Sequence, residues 1–359
     1  MLSDKNKVIL AAAGSGKTTH IVEEALKLKN HKVLITTYTI ENTDQIKKFF
    51  TEKAGCVPSN ISVQSWFSFL LQEGVRPYQN QLITEDRIES ILFLDNFEES
   101  QKVRKILRYI PETDVKHYIT PGNYIYDDKV SKFIYKCNER SNGKVIKRLE
   151  KIYNTIFVDE LQDFAGYDLN VLEMLFHSGI KIVCVGDPRQ ATFITNKSQK
   201  NKQFRRSNVF LWLTEKKDLN EINIEVRNES YRCNQLICDF ADKLYSDLPK
   251  TISKNNIKTE HDGIFLITDT QVNEYIKAHN PVILRYNKKT NTLGLSGMNI
   301  GLSKGRTYER TLIFPTKPML DYLTTNDISK VGDRSKLYIA VTRAKYSVAF
   351  VVNSKLMKN

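Results

Sequence analysis

Apolar residues fall along the chain in two rhythms. Short apolar runs bounded by polar loops, at 8–12, 32–36, 155–159, 181–185, 263–268, 281–284, 310–314 and 347–352, read as buried strands. Most of them alternate with segments at 18–29, 42–53, 167–177 and 234–245, whose apolar positions recur every three or four residues, as on one face of a helix. That alternation predicts an α/β fold with parallel sheets flanked by helices.

Residues 71–150 break the alternation. Ile88, Ile91, Leu92 and Leu94, then Val130, Phe133 and Ile134, keep helical spacing, and Pro77, Pro111 and Pro121 punctuate the stretch. The expectation is a mostly helical insertion at 71–150. Two α/β domains remain around it, one from 1–70 with 151–222 and one from 223–359.

A chain of 359 residues exceeds the usual size of one core, which agrees with two domains. With 41% hydrophobic and 26% charged residues it has an ordinary globular composition. The formal net charge of +13 changes the picture more, since it makes a polyanion the expected macromolecular partner. The five cysteines are scattered and never spaced as CxxC, so neither a disulfide framework nor a zinc site is expected, and a reducing cytoplasm fits. No apolar run approaches the ~18 residues needed to span a bilayer, so no membrane partner is expected.

The strongest local signal is the run from Ala11 to Thr18, AAAGSGKT, which follows an apolar strand and opens a helix. Glycines let backbone N–H groups turn toward phosphate, and the helix start adds positive potential. In such a loop, formed by Ala13, Gly14, Ser15 and Gly16, Lys17 reaches the β and γ phosphates of ATP and the Thr18 hydroxyl can ligate Mg²⁺. A plain strand-to-helix turn would need the same small residues but not the lysine.

A phosphate loop needs a carboxylate on a second strand to hold Mg²⁺ and another to activate water. The run TIFVDELQD from Thr155 to Asp163 supplies both: Asp159 is the candidate metal carboxylate and Glu160 the candidate base. These acids could instead cap the helix that follows, a reading that loses weight once the phosphate loop is present.

The DELQD run at 159–163, followed by VGDPRQ at 185–190, resembles the second and third motifs of superfamily 1 helicases of the UvrD/Rep type. Further matches occur in family order: TYT at 37–39, SWF at 65–67, SYRC at 230–233, LSKG at 302–305 and LYIAVTRAK at 337–345. The series runs from Ala11 to Lys345. The resemblance implies two RecA-like domains with ATP and Mg²⁺ bound in their cleft, and an ATP-driven motor moving 3′ to 5′ on single-stranded DNA. It implies that Gln190 senses the γ-phosphate, that Tyr231 stacks on adenine, and that Arg232 and Arg343 stabilise the transferred phosphoryl group. Thr19 and Gly305 fall at nucleotide-side positions of the first and fifth motifs. Tyr38, Trp66 and Phe193 fall where single-stranded DNA is contacted, while Phe67 reads as core. Basic runs at 129–151 and 197–217, the latter with seven Lys or Arg against one acid, are candidate phosphate tracks or simply solvated faces.

The departures are as informative as the matches. Thr19 stands where the family often has an adenine-sandwiching Arg, Arg306 and Thr307 follow Gly305 where Leu-Glu is usual, and Thr195 replaces a DNA-stacking Trp. Only about a dozen residues separate Tyr286 from Asn299, where UvrD/Rep enzymes insert a large accessory domain. The expected partners are therefore single-stranded and duplex-junction DNA, with a protein partner in place of that domain. A DNA- or partner-activated regulatory ATPase with little unwinding of its own is the competing expectation.

Overall fold

The computed structural model describes residues 5–83, 87–94 and 97–353. They divide into two compact units. The first takes in the described residues up to Ile9, then Thr18–Pro188 and Phe193–Glu225; the second takes in Leu10–Lys17, Arg189–Thr192 and the described residues from Val226 onward.

A six-stranded sheet forms the frame of the first unit. Its strands are β1 (Lys7–Ala11), β2 (Val33–Thr37), β3 (Ile61–Ser65), β6 (Thr155–Val158), β7 (Lys181–Gly186) and β8 (Asn223–Arg227), in the order β3-β2-β6-β7-β1-β8. The β3-β2, β2-β6 and β6-β7 pairs are parallel. Every residue of β2 and β6 is buried, the continuous apolar strand expected of a parallel sheet covered on both faces. Helices α1 (Lys17–Lys27), α2 (Ile40–Ala54) and α6 (Tyr167–Phe176) connect or cover these strands. Thr39 starts α2 by accepting the Asn42 N–H, and Gly55 ends it in the left-handed conformation.

Between β3 and β6 lie α3 (Phe97–Leu107), α4 (Val130–Arg140) and α5 (Lys144–Ile152). The stretch also holds a short parallel pair that the helical reading did not contain, β4 (Ser90–Leu92) with β5 (Tyr124–Tyr126). These strands are three residues each and half-exposed, too short for period-two alternation to register.

In the second unit β11 (Gly263–Thr268), β12 (Val282–Arg285), β13 (Met298–Asn299), β14 (Tyr308–Phe314) and β15 (Ala344–Val352) form an all-parallel sheet, ordered β11-β15-β14-β12-β13. A further short parallel pair joins β9 (Glu229–Ser230) to β10 (Ile252–Ser253). Alternate residues of the central strands serve opposite faces. Ile313, Val348 and Phe350 pack with α7 (Gln235–Lys243), α9 (Lys317–Thr325) and α10 (Arg334–Val341). Leu312, Phe314, Ala349 and Val351 pack with α8 (Val272–His279). Helix α10 is buried at five consecutive positions from Leu337 to Val341, so it lacks the one-sided pattern of a surface helix. A loop alone connects β12 to β13. Among the described residues no helix is long and apolar enough to cross a membrane.

Candidate functional site

After β1 the chain turns at Gly14 and Gly16, both at φ +76°, a left-handed conformation that glycine adopts readily. Gly14 has a second reason to lack a side chain: a Cβ there would lie 2.6 Å from Arg232 Cβ and 2.7 Å from Ser230 Oγ. Backbone bonds hold the loop, with Ala12 N–H donating to Arg227 O and Tyr231 N–H to Gly14 O, both at 2.9 Å. Ala13 N–H donates to the Tyr338 hydroxyl at 3.3 Å. Lys17 Nζ lies over the loop, donating to the carbonyls of Ala11 at 3.1 Å and Ala12 at 3.0 Å. Ser15 Oγ is buried without a hydrogen-bond partner. Helix α1 begins at Lys17 and continues through Thr18 and Thr19, so its first N–H groups and its positive end open at the loop. A concavity of backbone donors with one flexible ammonium fits a polyphosphate.

Strand β6 runs straight into the acidic turn. Asp159 is buried, and its Oδ1 accepts the Glu160 N–H at 2.9 Å. Glu160 adopts φ 57° and ψ 40°, which costs a residue with a side chain about 1 kcal/mol and concentrates at working sites. Its carboxylate does not swing freely, because Gln162 Nε2 donates to Glu160 Oε2. The other end of that amide accepts the Asp187 N–H at 3.0 Å, tying Gln162 to the end of β7. Gly186 makes room for it, since a Cβ there would meet Gln162 Oε1 at 2.7 Å. Asp163 faces the other way: its Oδ1 accepts the Phe193 N–H at 3.2 Å and its carbonyl accepts the Thr195 N–H at 2.9 Å. Gln162 and Asp163 were given no role from sequence; the available signal was a Gln two residues beyond the base in a stretch with no helical or strand periodicity.

Gln190 and Arg343 come together, with Arg343 Nη2 donating to Gln190 Oε1 at 3.2 Å. Arg343 is 1% exposed and also donates to the carbonyls of Ile339 at 3.2 Å and Arg306 at 3.3 Å. Gly305, just before Arg306, takes φ +82°. Arg232 packs against Gly14 and donates to Thr342 O at 3.1 Å. Tyr231 is bound to the loop through its backbone, while the residue is 63% exposed and its hydroxyl donates to Glu229 Oε2 at 3.1 Å.

Tyr38 lies between two other rings, 5.8 Å from Phe67 and 5.9 Å from Phe193. Phe193 is exposed and Phe67 is buried, so this small aromatic group has a wet side and a core side. Trp66 corrects its expected role: it is fully buried, 4.7 Å from the Phe164 ring, and its Nε1 donates to Asp168 Oδ1 at 2.9 Å. An indole closed in on its faces cannot stack on a base. Burial raises the Asp168 carboxyl above its usual range, and hydrogen bonds from Ser131, Thr195 and Trp66 work against that rise. Trp66→Phe is therefore expected to destabilise the fold by about 1–3 kcal/mol in denaturant unfolding, by leaving a buried acceptor underserved, while DNA affinity of the folded variant stays at the parental value.

The basic run at 197–217 is partly spent inside the protein. Lys216 is buried and pairs with Glu173 and Glu221, and Arg205 donates to the carbonyls of Lys197 and Ser198. Lys197, Lys200, Lys202, Arg206 and Lys217 remain exposed.

The UvrD/REP helicase N-terminal domain family matches residues 41–220. The chain is similar to the RecBCD enzyme subunit RecB of Borreliella burgdorferi, 26% identical over 200 residues, which is 51% of this chain and 17% of that protein. It thus corresponds to a small part of that relative's length. Among solved structures, the helicase of PRRSV matches at 13% identity with a TM-score of 0.46, over 98% of this chain and 52% of that one. Arterivirus nonstructural protein 10, a helicase solved in complex with DNA, matches at 14% identity with a TM-score of 0.48, over 97% of this chain and 60% of that one.

Proposed function

Because the chain belongs to the UvrD/REP helicase family, we propose that it is an ATP-driven motor on single-stranded DNA, moving 3′ to 5′ and using Mg²⁺. The observation that carries the reading is the acidic turn at the end of β6, in which the second carboxylate, Glu160, sits in a left-handed conformation and is held by a neighbouring amide.

Each part then has a task. The backbone of Ala13 to Gly16 and the start of α1 hold the phosphates, Lys17 balances their charge, and Tyr231 offers its exposed ring to the adenine. Thr18 and Asp159 are the residues that would hold Mg²⁺, which when bound neutralises phosphate charge. Glu160 orients water and accepts its proton, with Gln162 fixing the direction in which the carboxylate points. Arg232 and Arg343 supply guanidinium charge against the phosphoryl oxygens, and Gln190, already bonded to Arg343, reports the state of the γ-phosphate. Tyr38 and Phe193 stack on bases. Asp163 links the two activities, since it bonds Phe193 and Thr195 one residue beyond the amide that holds Glu160.

A second reading, a regulatory ATPase activated by DNA or a partner, is favoured by the simple loop between β12 and β13. One comparison separates the two: ATP turnover with single-stranded DNA, duplex DNA or RNA, set beside unwinding of long duplexes with 3′ or 5′ tails. The expected result is strong stimulation by single strands with poor unwinding by the isolated chain, and a preference for the 3′ tail in what unwinding there is. Preference for the 5′ tail would overturn the polarity, and indifference to all nucleic acid would sink the motor and leave only a partner-activated ATPase. In the same assay Lys202→Glu with Arg206→Glu is expected to lower the slope of log affinity against log salt by about 1.4, the value for two lost single-strand phosphate contacts.

A further inference from the structure

The first unit contains a cavity of about 660 Å³, lined by no residue of the phosphate loop or the acidic turn, whose charge is strongly one-sided. Six of its lining residues are basic, Arg104, Arg108, Lys129, Lys132, Lys197 and Lys200, against two acids. It therefore gathers the basic runs at 129–151 and 197–217, together with the end of α3, around one space.

Each acid forms an ion pair, and Asp128 keeps a second oxygen, Oδ1, buried without a hydrogen-bond partner. Glu112 Oε1 pairs with Lys132 Nζ at 2.7 Å, and Asp128 Oδ2 with Arg104 Nε at 2.7 Å. Lys132 and a further ammonium, Lys129, converge on a single neutral ring. His117 Nδ1 lies 2.8 Å from Ile110 O, which makes Nδ1 the protonated nitrogen and leaves Nε2 as an acceptor. Lys129 Nζ and Lys132 Nζ both approach that Nε2, at 3.0 and 2.9 Å. Lys132 has Glu112 as its counter-charge, whereas Lys129 makes its side-chain hydrogen bond to this uncharged acceptor, a poor resting arrangement for a buried cation. Two donors lining the same space also lack partners, Arg104 Nη2 and Ser198 Oγ, each buried at the atom. Burial, against the opposing pull of Asp128, brings the Lys129 ammonium down to about 8, as expected for a cation short of counter-charge.

Apolar and aromatic surface completes the lining, from Leu107, Ile110, Pro111 and Tyr167. The volume is that of a small-ligand site and far exceeds what one phosphate fills. We propose that this cavity is a second anion site, taking a phosphate-bearing ligand of nucleotide size with its phosphate on Lys129, Lys132 and Arg104 and with Lys197 and Lys200 at the rim. Such a ligand has two sources with the same chemistry, a nucleotide unit of a nucleic-acid strand or a free mononucleotide. The proposal stands apart from the ATPase reading, because none of these residues belongs to the phosphate loop or the acidic turn.

The test is calorimetric titration of the Lys17→Ala protein, in which the phosphate loop is disabled, with AMP, adenosine, inorganic phosphate and a short oligothymidylate. AMP is expected to bind saturably and adenosine not at all. Lys129→Gln is expected to weaken AMP about tenfold, the loss of one charge-assisted hydrogen bond. The double variant Lys197→Gln, Lys200→Gln touches only exposed side chains and keeps the test valid should the buried substitution disturb folding, which circular dichroism monitors; it is expected to weaken AMP severalfold. Displacement of AMP by the oligothymidylate assigns the site to the strand, and independent binding of the two assigns it to the free nucleotide. Absence of saturable AMP binding, or AMP affinity unchanged in both variants, overturns the proposal. A protein that binds AMP here yet hydrolyses no ATP as wild type would keep this site and sink the motor.

Discussion

On the proposed reading, Lys17→Ala is expected to reduce steady-state ATP hydrolysis by about a thousandfold, the upper range for removing one preorganised charge from a developing oxyanion. The structural reason is that Lys17 is the side-chain cation carried by the loop itself, on a flexible stem, bonded to the Ala11 and Ala12 carbonyls. An ammonium resting on backbone carbonyls can transfer to phosphate oxygens without moving the loop. The same bonds make a control necessary, because alanine also removes two contacts that support the turn. Lys17→Arg keeps the charge and is expected to leave the unfolding midpoint near the parental value; the bulkier guanidinium still fails to restore turnover. Hydrolysis by Lys17→Ala within tenfold of wild type would place the phosphates elsewhere.

Glu160→Gln separates binding from chemistry. The substitution keeps the shape of the side chain and leaves Thr18 and Asp159 intact, so ATP affinity is expected to stay within about twofold while turnover falls by about 10²–10⁴, the usual contribution of a general base. Gln162→Ala provides the matching positioning test. It deletes the amide that donates to Glu160 and accepts from Asp187, so the base remains but its direction is released. The expected outcome is a fall in kcat of about tenfold with KM little changed, and a further fall of less than tenfold when Gln162→Ala is added to Glu160→Gln. Full additivity of the two would show that Gln162 acts independently of the base.

How far the chain could be read beforehand differs from element to element. The strands expected at 347–352 and 155–159 fall in β15 at Ala344–Val352 and β6 at Thr155–Val158, because central parallel strands are apolar on both faces. Strands β3 and β8 escaped. They lie at the two edges of the first sheet, and sequences such as ISVQS and NIEVR put only alternate apolar residues into a run too short to stand out. Helix α10 hid for the opposite reason, since a helix buried all round shows no amphipathic period. At the candidate site the loop and the acidic turn were legible from spacing alone. Trp66 was not: sequence order cannot tell a stacking surface from a core ring, and its burial depends on Asp168 and Phe164, about a hundred residues away.

The loop that holds Gly14 has a consequence for how the protein is made. Its backbone is bound by Arg227, Tyr231 and Tyr338, and the Ala13 to Tyr338 bond joins residues 325 positions apart. At the usual pace of synthesis, about 5–20 residues per second, Tyr338 leaves the ribosome roughly 15–65 seconds after Ala13. Until then the glycine turn lacks its downstream supports. A nascent chain stopped at Glu225 can complete most of its first sheet yet has none of those three supports, so on the proposed reading nucleotide is expected not to act as an early folding template. Ligand rescue of folding should therefore appear only in full-length translation products, late in synthesis, and be missing from fragments that carry the loop but end before Tyr338.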